Sequence, residues 1–283
     1  SSIEHQDGVE TISATIVVNG EATPAGLPGH PRCFHMHLQP GALYRLAQPE
    51  QTAQAAAFAG QRLVALAGYR ARLDAIAQGE HCAGDPVFAP LAQAIARHQL
   101  PLAPFYDLLS AFSQDVTTTR YATFAELVSY CRLSANPVGR LMLHLFDQHD
   151  PRSLAMSDGI CTALQLTNFL QDIALDWQKG RVYLPQDALA KYRVSEAQIA
   201  AGDTSGLWSV MMQQQIERAR SMLAAGAPLG KRLPGRFGLE LRLIVLGGET
   251  ILRKLHRSGG DVFQQRPVLT TRDWLYMGYR SEE

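Results

Sequence analysis

The residues best suited to chemistry lie within residues 165–185, Gln-Leu-Thr-Asn-Phe-Leu-Gln-Asp-Ile-Ala-Leu-Asp-Trp-Gln-Lys-Gly-Arg-Val-Tyr-Leu-Pro. Asn168, Asp172 and Asp176 are spaced i, i+4, i+8, which on an α-helix aligns three oxygen-bearing side chains in one slowly rotating stripe. Gln165 lies one turn earlier, near the same face. Leu164, Leu166, Phe169, Leu170 and Ile173 surround the stripe with apolar surface. Unpaired buried carboxylates are costly, so such a stripe needs partners. Hard cations supply them: Mg²⁺ is commonly held by one or two carboxylates, with water and phosphate oxygens completing its shell. Lys179 and Arg181 follow directly and suit phosphate, so the segment reads as a candidate diphosphate cradle. The competing reading is a solvated acidic helix face, with Lys179 as the i+3 partner of Asp176.

These side chains need a helix to align them, and residues 157–178 read as one, stopped by Gly180. Helical pattern runs from residue 41 onward. Good helix formers fill 41–76. Asp85-Pro86 opens a helix to about His98, and another runs from Pro104 to about Val116. Thr123 caps 124–133, with Glu126 completing a capping box. Asn136-Pro137 interrupts before a helix to about Phe146, and 147–152 is a polar connection. Ser195 with Gln198 marks a further cap. Long helices are predicted over 207–225 and 238–257, with a short one near the end. Residues 1–40 differ: 13–18 read as a strand before an Asn-Gly turn, then a Pro/Gly-rich loop. The expected organisation is an atypical segment 1–40 and an all-α domain 41–283.

Composition narrows the function classes. The chain has 283 residues, 46% hydrophobic and 18% charged, which is ordinary for a globular protein. Lys plus Arg and Asp plus Glu both total 26, so no basic field points to nucleic acid. Cys33, Cys82, Cys131 and Cys161 form no CxxC pair, which suits a reducing compartment; Cys131 and Cys161 read as core. His35 and His37 read as ordinary loop histidines. No GxSxG, GxGxxG or GxxxxGK[ST] pattern is present. No apolar run of about 18 residues and no secretory signal is found, so the expected location is cytoplasmic.

Several separated segments resemble the squalene/phytoene synthase family. Residues 165–176 look like its second aspartate-rich motif, and Tyr130-Cys-Arg-Leu-Ser-Ala-Asn-Pro-Val-Gly-Arg140 like its YC-x-x-x-A-x-x-VG helix. YCRLSANPVGRL, SDGICTALQLTNFLQD, GRVYLPQD and GGDVFQQRP together resemble the HpnC branch of bacterial hopanoid biosynthesis. The resemblance spans roughly residues 61–280. It implies an all-α isoprenoid-synthase fold with a central cavity, and loss of diphosphate from presqualene diphosphate to give hydroxysqualene. Asp172 and Asp176 would be the catalytic pair and, with Asn168, would bind Mg²⁺. Gln165, Asn168, Lys179, Arg181, Tyr183 and Tyr44 would bind the isoprenoid diphosphate. Leu133 stands where reductive squalene synthases carry a tyrosine. Sister enzymes of the squalene pathway and peripheral contact with the inner membrane are the further partners implied.

One departure concerns the family's first motif, Y-x-x-x-R followed by D-D-x-x-D. Tyr44 matches, but Gln48 stands for the arginine and Gln51, Thr52 and Ala55 stand for the aspartates; Glu50 is out of register. Two alternatives therefore stay beside hydroxysqualene formation. One is a catalytically weak or silent member that binds isoprenoid or sister enzymes, and the other is a squalene- or phytoene-type synthase.

Overall fold

The computed structural model describes residues 52–80, 82–264 and 266–280, and the described residues from Ala56 onward pack as one compact unit. The strand expected at 13–18, His35, His37, Cys33, Tyr44, Gln48 and Gln51 lie outside the described residues. Thr52 and Ala55 fall on the first helix.

Among the described residues every regular element is an α-helix. α1 (Thr52–Ala77), α2 (Phe88–His98) and α3 (Ala103–Thr117) share a small core of Leu73, Ile76, Phe88, Ile95, Phe105 and Leu109. Asp85 starts the second of these: its carboxylate accepts from the N–H groups of Val87 and Phe88, each at 2.9 Å, and pairs with Arg72 of α1. α4 (Phe124–Ser134) and α5 (Asn136–Leu145) lead into α6 (Pro151–Gln171) and α7 (Ile173–Gln178). α8 (Gln186–Tyr192) and α9 (Glu196–Ala201) are short. α10 (Trp208–Gly226), α11 (Leu229–Arg232), α12 (Gly235–Arg257) and α13 (Thr271–Arg280) complete the order.

α6 is the central helix, packed against α4, α5, α10 and α12. Its companion α10 contributes Trp208, Met211, Met212 and Ile216, all fully buried. Glycine permits the close approach of the two. A Cβ on Gly226 would stand 2.5 Å from the Met156 carbonyl and 2.6 Å from Ile160 Cγ1. Cys131 is in the core as expected, and burial pushes its thiol up to about 12.

The structure corrects the local reading in three places. α6 begins earlier than residue 157, because Asp150 accepts from the N–H groups of Arg152 and Ser153 and Pro151 fills the first turn. The start signal thus lay inside the segment read as a connection. The helix also does not run through to 178: it bends at Asp172, whose φ of −107° and ψ of 14° leave the helical range. The hydrogen-bond ladder continues across the bend, from Asp172 N–H to the Asn168 carbonyl at 2.9 Å and from Asp176 N–H to the Asp172 carbonyl at 2.8 Å. The residues at the bend are held by the C-terminal segment, Gln171 by the Pro267 carbonyl and Asp172 by Arg266. The expected capping box at Thr123 is half made. Thr123 accepts from Glu126 N–H, but the Glu126 carboxylate reaches Ala122 N–H instead of closing on Thr123. At Ser195 and Gln198 the full box is present.

A short extended piece positions the chemistry. Val182 N–H donates to the Thr119 carbonyl at 3.0 Å, Gln186 N–H to Tyr121 at 2.9 Å and Asp187 N–H to Ala122 at 3.0 Å. Extended chain alternates its side chains. Val182 and Leu184 are therefore buried in the core, and Arg181 and Tyr183 share the opposite face.

Gly226→Ala is expected to lower stability by about 1–3 kcal/mol through overpacking. Gly60→Ala, where a Cβ meets nothing within 4 Å, is expected to raise it by about 0.5–1 kcal/mol. Urea midpoints of the two variants measure both signs.

Candidate functional site

Arg181 is the hub. Its Nη1 donates to Asp115 Oδ1 at 3.2 Å and to the Tyr183 hydroxyl at 2.8 Å, and its Nη2 donates to the Asp115 carbonyl at 2.7 Å. The Tyr130 hydroxyl donates to the same Asp115 oxygen at 2.7 Å. The side chains of Arg181 and Asp115 are only 15% and 21% exposed, so solvent screens this pair far less than an ordinary surface bridge. Burial opposes the charge on Arg181, but Tyr183 and Asp115 outweigh it and hold its pKa above the ordinary value. Burial also pushes the Tyr183 hydroxyl up to about 12, so it stays protonated.

Aromatic rings form a wall beside the hub. Phe169 and Tyr183 stack with centroids 3.9 Å apart at 8°. Tyr121 and Tyr130 lie 6.0 and 6.2 Å from Tyr183. Their faces are electron-rich, a surface suited to positive charge.

Of the two predicted carboxylates, Asp172 stands at the bend and Asp176 one turn beyond it. Asp172 accepts from Arg266 Nε at 2.5 Å, and Asp176 lies 3.5 Å from Lys179 Nζ. The Lys179 pair is the one a solvated acidic face would make. Asp176 itself is largely shielded, however, with its side chain 14% exposed. Burial raises its pKa and Asp172 adds to the rise, while Lys179 and Arg181 act the other way. The Asp176 carbonyl accepts from the N–H groups of Lys179 and Arg181 at 3.0 and 2.8 Å, which turns the chain so that Arg181 comes back toward the carboxylates. Gln165 is half-buried and Asn168 is exposed on the turns before them.

Among the described residues no three His, Cys, Asp or Glu side chains are grouped to hold a metal. Asp172 and Asp176 stand one turn apart across the bend, and each is paired with a cation, Arg266 and Lys179 respectively. That set fits a hard cation held by two carboxylates and completed by water and phosphate oxygens, and it does not fit an all-protein cage.

Two cavities adjoin the site, each of about 10 Å³ and thus the size of one water. The first is bounded by Ile173, Asp176, Arg181 and Tyr183, the second by Phe124, Leu166, Leu170 and Gln215, with Phe169 and Tyr183 lining both.

Local reading missed Asp115, Arg120, Tyr121 and the partner of Asp172. Asp115 meets Arg181 across 66 residues, a separation that no helical spacing reveals. Arg120 makes a two-point bridge to Glu196 at 2.7 and 2.9 Å and donates to the Gly180 carbonyl at 2.6 Å, fixing the turn before Arg181. Arg266 did carry a signal, since it stands in the GGDVFQQRP segment.

Comparison with known proteins places the chain. The squalene/phytoene synthase family model matches residues 47–273, and the chain belongs to that family. It is 36% identical over 172 residues to hydroxysqualene synthase of Rhodopseudomonas palustris, covering 60% of this chain and 59% of that one. It is 35% identical over 164 residues to phytoene synthase 1, chloroplastic, of Arabidopsis thaliana, covering 56% of this chain and 38% of that one. It thus spans less than two-thirds of the length of both, and is about equally similar to each. The crystal structure of squalene synthase HpnC from Alicyclobacillus acidocaldarius superposes with a TM-score of 0.66 at 36% identity, over 70% of this chain and 74% of that one. A dehydrosqualene synthase shares the fold at a TM-score of 0.65 and 19% identity, over 83% of this chain and 87% of that one. The isoprenoid-synthase fold expected from the sequence is the fold observed.

Asp176 gives a pH prediction. Its folded-state pKa lies above the unfolded value, so between the two the folded protein holds the extra proton and stability falls as pH rises through that window. Asp176→Asn is therefore expected to raise the urea midpoint of the metal-free protein at neutral pH. Its advantage should shrink as the pH falls toward the unfolded carboxylate range. A lower neutral-pH midpoint would mean that the Lys179 pair outweighs burial.

Proposed function

We propose that this squalene/phytoene synthase family member converts presqualene diphosphate to hydroxysqualene in squalene and hopanoid biosynthesis. The observation that carries the reading is the shared face of Arg181 and Tyr183. It joins a cationic and carboxylate end, with Asp172, Asp176 and Lys179, to an aromatic wall of Phe169, Tyr121 and Tyr130. Such a site suits a substrate with a diphosphate at one end and a carbon skeleton that becomes positive.

Asp172 and Asp176 would hold Mg²⁺, with Asn168 and Gln165 on the preceding turns, and the bound ion would supply charge neutralisation to the departing diphosphate. Arg181 and Lys179 stabilise the same negative charge as the carbon–oxygen bond breaks and the electron pair leaves with the diphosphate. Arg181 reaches this role pre-oriented by Asp115 and Tyr183, so little reorganisation is needed at the moment of reaction. The aromatic faces stabilise the carbon cation. The apolar side chains around them exclude bulk water, leaving capture to a single water. Its oxygen bonds to carbon and it loses one proton, and no reductant is consumed. Leu133 packs against the core and offers no hydroxyl there.

A second reading rests on Gln48, Gln51, Thr52 and Ala55 at the positions of the family's first motif. On that reading the chain is a weak or silent member that binds isoprenoid or sister enzymes. A squalene- or phytoene-type product is the third reading, supported by the equal similarity to phytoene synthases. Contact with a membrane surface would be peripheral, since among the described residues no helix is long and apolar enough to cross one.

Turnover of presqualene diphosphate with Mg²⁺, followed by released diphosphate and lipid product, separates the three. The expected result is an alcohol product, with a loss of at least about 100-fold in Asp172→Ala. A hydrocarbon product favours the third reading. No release by the parent favours the second.

A further inference from the structure

Gln215 sits on α10 with 4% of its surface exposed, a polar side chain among Phe124, Leu166, Phe169, Leu170 and Tyr183. Its orientation is fixed. Arg218 Nη1 donates to Gln215 Oε1 at 3.3 Å, and the Arg218 guanidinium is itself held 4.2 Å above the Phe124 ring. A guanidinium only donates, so a flipped amide would set donor against donor. The oxygen therefore faces Arg218, and among the described residues the buried NH₂ group has no acceptor. A buried amide donor in that state is costly, and a cavity of about 10 Å³ beside it has room for one oxygen. Tyr183 lines this cavity and also the one that reaches Asp176 and Arg181, so the amide and the diphosphate end share a ring.

We infer that the Gln215 amide binds a neutral acceptor oxygen inside the apolar pocket. That oxygen belongs either to the water that captures the carbon cation or to the hydroxyl of an isoprenoid alcohol. This deepens the functional reading given above and rests on it for the capture step. In that step the oxygen held by Gln215 forms the new carbon–oxygen bond, and one water proton passes to the released diphosphate. Without the water, a neighbouring carbon–hydrogen bond gives its proton to the diphosphate and its electron pair becomes a double bond, so the product is a hydrocarbon. The amide is thus a specificity residue that selects alcohol over alkene.

The test uses the full chain and Gln215→Leu, which keeps an apolar filling and removes the amide. Its first arm needs no turnover. Farnesol and farnesene, which differ in the hydroxyl, are titrated by equilibrium fluorescence. The parent is expected to prefer farnesol about fivefold, the scale of one neutral hydrogen bond, and the preference should vanish in Gln215→Leu. The second arm reads the alcohol-to-hydrocarbon ratio from presqualene diphosphate, which is independent of total rate and should fall in the variant. A farnesol preference alone assigns the amide to the finished hydroxyl, and a shifted ratio alone assigns it to the water. If neither changes, the inference is overturned. Absence of diphosphate release by the parent counts against the functional reading, and the farnesol comparison then decides Gln215 by itself.

Discussion

Arg181 is held on three sides inside the protein, by the Asp115 carboxylate, the Asp115 carbonyl and the Tyr183 hydroxyl. Tyr130 completes the set by donating to the same carboxylate. Removing one partner of a buried pair typically costs about 3–5 kcal/mol, because the other charge is left uncompensated. These contacts therefore lock α3, α4 and the 181–184 segment together around one cation. The alternation of that segment sends Val182 and Leu184 into the core, and this in turn fixes where Tyr183 stacks on Phe169 of α6.

The bend at Asp172 follows a related logic. A straight helix through residue 178 would keep Asn168, Asp172 and Asp176 on one continuous stripe. Gln171 and Asp172 are instead engaged by Pro267 and Arg266, and Asp176 is drawn into partial burial beside Lys179. Every carboxylate of the site thus has a cation beside it. Opposite charges satisfied within the fold are the groups that a metal ion and a diphosphate would engage together, since the ion suits the carboxylates and the diphosphate suits Arg181, Lys179 and Arg266.

Much of this was legible in the sequence. Helix existence followed from composition, caps and prolines, and Ser195 with Gln198 made the reciprocal cap in full. The Asp172 and Asp176 pair was visible from its spacing, and Arg181 and Tyr183 from the GRVYLP segment. What escaped was set by distant contacts. Asp115 shows its importance only when α3 packs beside residue 181. The break in the helix depends on a segment almost 100 residues further on, 94 from Asp172 to Arg266. The start of α6 was readable in principle, because Asp150-Pro151 is a cap followed by a first-turn proline. Gln215 escaped for another reason: a glutamine in a polar-looking stretch of α10 gives no sign of being buried.

The proposed function depends most on Asp172 and Asp176 acting with a divalent cation to hold a diphosphate. Isothermal titration of inorganic diphosphate into the protein, with and without Mg²⁺, tests this directly in the parent and in Asp172→Asn/Asp176→Asn. Binding is expected to require Mg²⁺ and to be lost in the double variant. Binding of equal strength without Mg²⁺, or retained by the double variant, would contradict that role.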